Sequence, residues 1–125
     1  MMRYTMCRSA TLAALLVLVT ATVLPWQPVF AEGGARRDVV RVEQQNLQDA
    51  LKLAKEAVDH GKQGHAGALL TSAEAALEHA RKAGKSSHVD QGIAELNQAI
   101  EHGKAGHADV ATTHAEQAVT HLSAM

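Results

Sequence analysis

The sequence predicts an all-α protein: an antiparallel, up-down-up-down four-helix bundle made of two helical-hairpin repeats. Three observations carry that expectation. The segment Ala57-Val58-Asp59-His60-Gly61-Lys62-Gln63-Gly64-His65-Ala66 recurs as Ala99-Ile100-Glu101-His102-Gly103-Lys104-Ala105-Gly106-His107-Ala108, and over 24 residues the copies agree at twelve positions with a constant offset of 42. A period of that size belongs to two-helix repeats, and two copies alone close into a bundle rather than a solenoid. Four apolar series share one 4-3-4 spacing, the mark of a stripe along a helix. The connections between them are short, which forces neighbouring helices to run antiparallel.

Residues 1–31 read as a secretory signal peptide ahead of the bundle. Arg3 and Arg8 are its basic start, Ala10 to Leu24 are an apolar run of fifteen residues, and Val29-Phe30-Ala31 offers small residues for cleavage. The run is short for a membrane span, so no stable membrane insertion is expected once the leader is gone. Residues 32–37 are expected to form a flexible tail before the bundle domain, residues 38–125.

The first helix is expected over 38–60, where Leu47, Leu51, Ala54 and Val58 form the seam. Leu69, Ala73, Ala76 and Ala80 mark the second over 65–82, and Val89, Ile93, Leu96 and Ile100 the third over 88–102. Ala111, Ala115, Ala118 and Leu122 mark the fourth over 107–122. Gly61, Gly84 and Gly103 follow three of these series, where a left-handed C-cap is wanted. Ser87 with Asp90 has the pattern of a capping box for the third helix.

Composition narrows the function. Tyr4, Cys7, Trp26 and Phe30 all lie in the leader, so the exported chain has no aromatic residue, no disulfide and no thiolate. Without Arg3 and Arg8 the balance is ten Lys/Arg against thirteen Asp/Glu, a net charge of −3 with neutral histidines. That argues against nucleic acid, which selects a basic patch. The core is alanine-rich and thin, and modest stability is expected without a ligand.

The eight histidines carry the chemistry. His65 and His79 are fourteen residues apart, His88 and His102 are fourteen apart, and His107, His114 and His121 are seven apart. Seven residues is two helical turns, so each series lies along one stripe, about 90–130° from the middle of the apolar seam. Duplication explains why His60, His65 and His79 reappear as His102, His107 and His121, but not the heptad spacing within a helix. Facing residues of an antiparallel hairpin have constant summed numbers. That pairs His60 with His65, Leu53 with Ser72 and Asn46 with His79 in the first hairpin. In the second it pairs His102 with His107, Glu95 with His114 and His88 with His121.

Imidazole pairs with a nearby carboxylate are a partial ligand set for a divalent first-row metal. The expected metal ligands are His60, His65, His79, His88, His102, His107, His114, His121 and Glu95. Asp59, Glu101, Glu56 and Glu78 are neighbouring acids that could ligate or hold an imidazole from behind, or simply be surface charge. An open rung lacks the closed cage of a structural zinc site, so several exchangeable ions are expected. The intrinsic order favours Cu(II), with Ni(II) and Zn(II) behind it. Protons compete for the same nitrogens, so binding should fade below a pH of about 6.5.

From Leu47 to Leu122 the chain resembles the SmbP-type small metal-binding proteins. The resemblance rests on the two His-Gly-Lys-x-Gly-His turns, on Ser87-His88-Val89 and on Thr113-His114-Ala115-Glu116. It implies a histidine-rich four-helix bundle in the periplasm that binds copper and other divalent metals for storage, buffering or protection, without catalysis. Asn46, Leu53, Ser72 and Glu95 stand where such proteins tend to carry histidine, and Gln91 stands where another would fit. Reduced capacity follows, mainly in the first hairpin. The expected exported protein is a monomer with metal ions as its partners. An alternative is a helical adaptor whose histidines are incidental or sense pH. An enzyme is not expected: the chain has no HExxH and no facing ExxH pairs.

Overall fold

The computed structural model describes residues 31–124. Apart from Ala31, the expected leader lies outside the described residues. Four helices follow one another: α1 Ala31–Lys62, α2 Ala66–Lys82, α3 Ser87–Lys104 and α4 Ala108–Ser123. α1 packs against α2 and α4, and α3 against α4 and α2, so the two hairpins close into the expected four-helix bundle. Among the described residues no helix is long and apolar enough to cross a membrane.

The four 4-3-4 series do converge. Ala54, Leu69, Ala73, Ala76, Ala80, Leu96, Ala111, Ala115 and Ala118 are fully buried, and Leu47 and Ile93 pack on the rim of the core. Alanine dominates this seam, which lets helix backbones come close and leaves the larger side chains to settle fit. Leu69 lies beneath both turns: a Cβ at Gly61 or Gly103 would stand 2.8 or 3.7 Å from its methyl carbons.

The halves are related by a pseudo-twofold arrangement that follows from the offset of 42. Lys62 bridges to Glu116 at 2.9 Å, and its counterpart Lys104 bridges to Glu74, the counterpart of Glu116, at 2.8 Å. Gly61 admits Thr112 from α4, just as Gly103 admits Leu70, the counterpart of Thr112, from α2. Volume is traded between the copies as well. A Cβ at Gly92 would come within 2.8 Å of Leu122, whereas the equivalent positions in the first half are Ala50 and Ala80, both fully buried.

Helix ends differ from the sequence expectation in instructive ways. α1 starts at Ala31, so residues 32–37, expected as a loose tail, are helical. Ala35, Arg36 and Arg37 are good helix formers and no proline intervenes, which outweighs Gly33 and Gly34. Glu43 lies against Gly84 at the end of α2, so the earlier part of α1 runs past its partner, and residues 34–42 are all exposed. The left-handed glycines are Gly64 (φ 75°), Gly84 (φ 84°) and Gly106 (φ 81°). Gly61 and Gly103 stay helical instead, because α1 and α3 continue to Lys62 and Lys104. The cap of α3 is Ser86, whose hydroxyl accepts from the Val89 N–H at 3.1 Å, so Ser87 is already the first helical residue.

Candidate metal centre

Each His-Gly-Lys-x-Gly-His segment ends one helix and begins the next. His60 and His102 lie in the last turns of α1 and α3, where the carbonyl end of the helix favours positive charge. His65 and His107 occupy the N-cap positions of α2 and α4, yet neither side chain makes a capping hydrogen bond. The left-handed Gly64 and Gly106 fold the chain back, and the amides of His65 and His107 bond to the carbonyls of His60 and His102 at 2.9 Å. Backbone geometry therefore holds each pair of imidazoles together. Ring centroids are 6.2 Å apart for His60 and His65, tilted by 46°, and 5.9 Å apart for His102 and His107, tilted by 39°.

Those separations suit a shared ion. A ligating nitrogen sits about 2.0–2.1 Å from the metal and about 1.1 Å from its ring centre. Two rings on one ion then have centroids about 4.5–6.4 Å apart for N–metal–N angles between about 90° and 180°. Both turn pairs fall inside that range. Among the described residues the Nδ1 of His60 is buried and has no hydrogen-bond partner, which leaves it open to a ligand role.

Below the turns, the rungs behave differently from one another. Asn46 and His79 meet as expected: His79 Nδ1 lies 3.1 Å from Asn46 Oδ1. The Asn46 amide nitrogen donates to the Val42 carbonyl at 2.9 Å, which leaves its oxygen to accept from His79. Glu95 and His114 also meet, with Oε2 to Nδ1 at 2.8 Å. In both cases an oxygen holds Nδ1 and leaves Nε2 for other work. Leu53 packs on the rim of the core and Ser72 is buried, so that rung offers no ligand pair. His88 is exposed and His121 half-buried, and among the described residues they make no ring contact.

One pairing was not visible in the rung register. His102 and His114 stack with centroids 5.3 Å apart and planes within 3°. Their numbers sum one heptad beyond the hairpin constant, so only the half-step stagger of side chains between facing helices could have suggested it. The neighbouring acids do not gather on the rings. Glu78 pairs with Lys82 at 2.7 Å, and that ammonium holds its carboxyl below the ordinary glutamate range. Glu56 lies 4.0 Å from Lys52, and Asp59 and Glu101 are exposed. Among the described residues no three His, Asp or Glu side chains already stand together to hold one ion. The arrangement supplies imidazoles in pairs, on the flank of the bundle.

The lysine of each motif has a separate task that sequence reasoning missed. Lys62 and Lys104 turn away to Glu116 and Glu74 of the other hairpin. This removes a free ammonium from beside the imidazoles, where it would repel a cation. The hydrogen bond from Lys62 to Glu116, then that carboxylate's charge, holds the ammonium above the ordinary lysine range. The offset of 42 already related both lysines and both glutamates, which was the available signal.

No curated protein matches the chain by sequence. A sequence model of the small metal-binding protein family matches residues 8–125, which span the whole bundle and both histidine turns. The paired imidazoles on duplicated turns and this match agree, and the chain belongs to the small metal-binding protein family.

Proposed function

We propose that the chain is an exported divalent-metal-binding protein that takes up several ions through its histidine rungs, for buffering, storage or scavenging in the periplasm. The leader over residues 1–31 would direct export and be removed. The observation that carries this reading is the repeated imidazole pair. Equivalent imidazole pairs stand 6.2 and 5.9 Å apart on the two matching turns, inside the range for a shared ion. Imidazole donors favour copper first and nickel or zinc after it. Exposed His65 and His107 leave each pair open on one side, which suits exchange of ions rather than a closed structural cage. Glu95 acts through His114, and the ligands proper are the histidines.

Calorimetric titration of residues 32–125 with Cu(II), Ni(II) and Zn(II) at neutral pH, repeated at about pH 5, tests the proposal. Two or more saturable sites per chain that vanish in acid are expected. The absence of saturable binding to all three ions would overturn it.

A further inference from the structure

We infer that the two hairpins hold unequal sites. In the second, His102, His107 and His114 gather one divalent ion, while Glu95 positions His114 without ligating; at the matching place in the first, the site has only His60 and His65. This inference rests on the metal-binding reading above and goes further, to which ligands form the tightest site.

His102 is the shared member. Its ring lies 5.9 Å from that of His107 and 5.3 Å from that of His114, each a separation that two rings on one ion can have. The three rings do not yet converge among the described residues: His107 and His114 make no ring contact, and His102 and His114 are stacked with planes within 3° of each other. Parallel rings aim at one ion only after one turns. His114 is the ring that stays, because Glu95 Oε2 holds its Nδ1 at 2.8 Å across the hairpin. His102 is the ring that turns, about a terminal torsion whose energy profile is broad. With Nδ1 committed as the donor, His114 presents Nε2 to the ion, as carboxylate-backed histidines do at metal sites. Three imidazoles with a water in the fourth position form a familiar coordination set.

The first hairpin lacks this set at matching positions. Ser72 replaces His114 and Leu53 replaces Glu95, the former buried and the latter packed on the rim of the core. His60 therefore has His65 as its one imidazole neighbour. Since the turns are otherwise alike, the difference between the sites reduces to one ligand and the acid behind it.

Cu(II) titration of residues 32–125, followed by calorimetry and by paramagnetic resonance to count ligand nitrogens, tests this. The wild-type chain should fill in two steps of unequal affinity. His114→Ser, which installs the residue of the first hairpin, should weaken the tight step about tenfold or more and remove one ligand nitrogen. Glu95→Gln keeps an oxygen for Nδ1 and should stay within about threefold. Glu95→Ala should weaken the tight step about tenfold with the nitrogen count unchanged, in line with the 10–100-fold effect of such backing groups. The double graft Leu53→Glu with Ser72→His should convert the weak step into a second tight one. Circular dichroism confirms that each variant remains helical. Equal steps in the wild-type chain, or a tight step untouched by His114→Ser in a folded variant, would overturn the inference and leave the metal reading intact. Failure of the wild-type chain to bind Cu(II) at all would overturn both.

Discussion

At the scale of single residues, the molecule depends on a few large side chains in a seam of small ones. Leu69, Leu96, Leu122 and Val89 are the largest fully buried residues, and each buried leucine contributes ~1.5–3 kcal/mol by area. Leu69 has the additional position beneath Gly61 and Gly103. Leu69→Ala should cost ~2–5 kcal/mol in urea unfolding, and it should also weaken metal binding at both turns. Leu96→Ala, away from the turns, should cost a similar amount with less effect on binding. Equal losses of binding in both variants would show that Leu69 has no special place under the sites. The histidines were legible as candidate ligands because they repeat at heptad spacing on the flank of the apolar seam, where core packing does not call for an imidazole. The geometry that ranks them was not legible, since it depends on ring orientation and on which oxygen faces which Nδ1.

At the scale of elements, the glycine of each motif distinguishes close packing from turn formation. Gly61 and Gly103 precede the turns and look like C-caps in sequence, but they are helical and serve as notches for the neighbouring hairpin. Gly61→Ala would press a methyl group onto Thr112 and Leu69. Thr112 is fixed by its own bond to the Ala108 carbonyl at 2.7 Å. A cost of ~1–3 kcal/mol is expected, larger than that of Gly103→Ala, which meets the flexible end of Leu70. Gly67→Ala on the open side of α2 meets no atom within 4 Å and should instead stabilise by up to about 1 kcal/mol. Thermal melts of the three variants would show that order or refute it. Helix existence, seams and antiparallel order were readable from the 4-3-4 spacing and the repeat. Helix ends were not: α1 extends to Ala31 with no packing to announce it, and Ser86 rather than Ser87 takes the cap of α3.

At the scale of the whole molecule, any ion bound by the folded bundle is linked to its folding. Ions that bind the folded bundle stabilise it by ~2.7 kcal/mol per site at a hundred times the Kd, which for a domain of this size corresponds to roughly 10–20 °C in Tm. Ni(II) should raise the melting temperature, and a chelator or acidification to about pH 5 should return it to the metal-free value. An unchanged Tm at saturating metal would contradict this linkage. The Lys62 bridge responds to alkali. Because the Lys62 ammonium is held above its ordinary range by Glu116, its contribution is complete below the ordinary value of about 10.4 and is lost as pH rises through the raised one. Lys62→Met should thus lower the urea midpoint at about pH 8, and the difference should shrink as pH rises above the ordinary lysine value. The crossed bridges, Lys62 to Glu116 and Lys104 to Glu74, have the pattern of an isologous interface, in which each contact occurs twice with its members exchanged. A lone hairpin of this kind would have found its mate in a second copy of itself, and both copies would have changed together with every mutation. Two hairpins in one chain are free of that constraint. One half carries Glu95 and His114 while the other carries Leu53 and Ser72 at the matching positions, a difference that two hairpins in one chain permit and two identical copies do not.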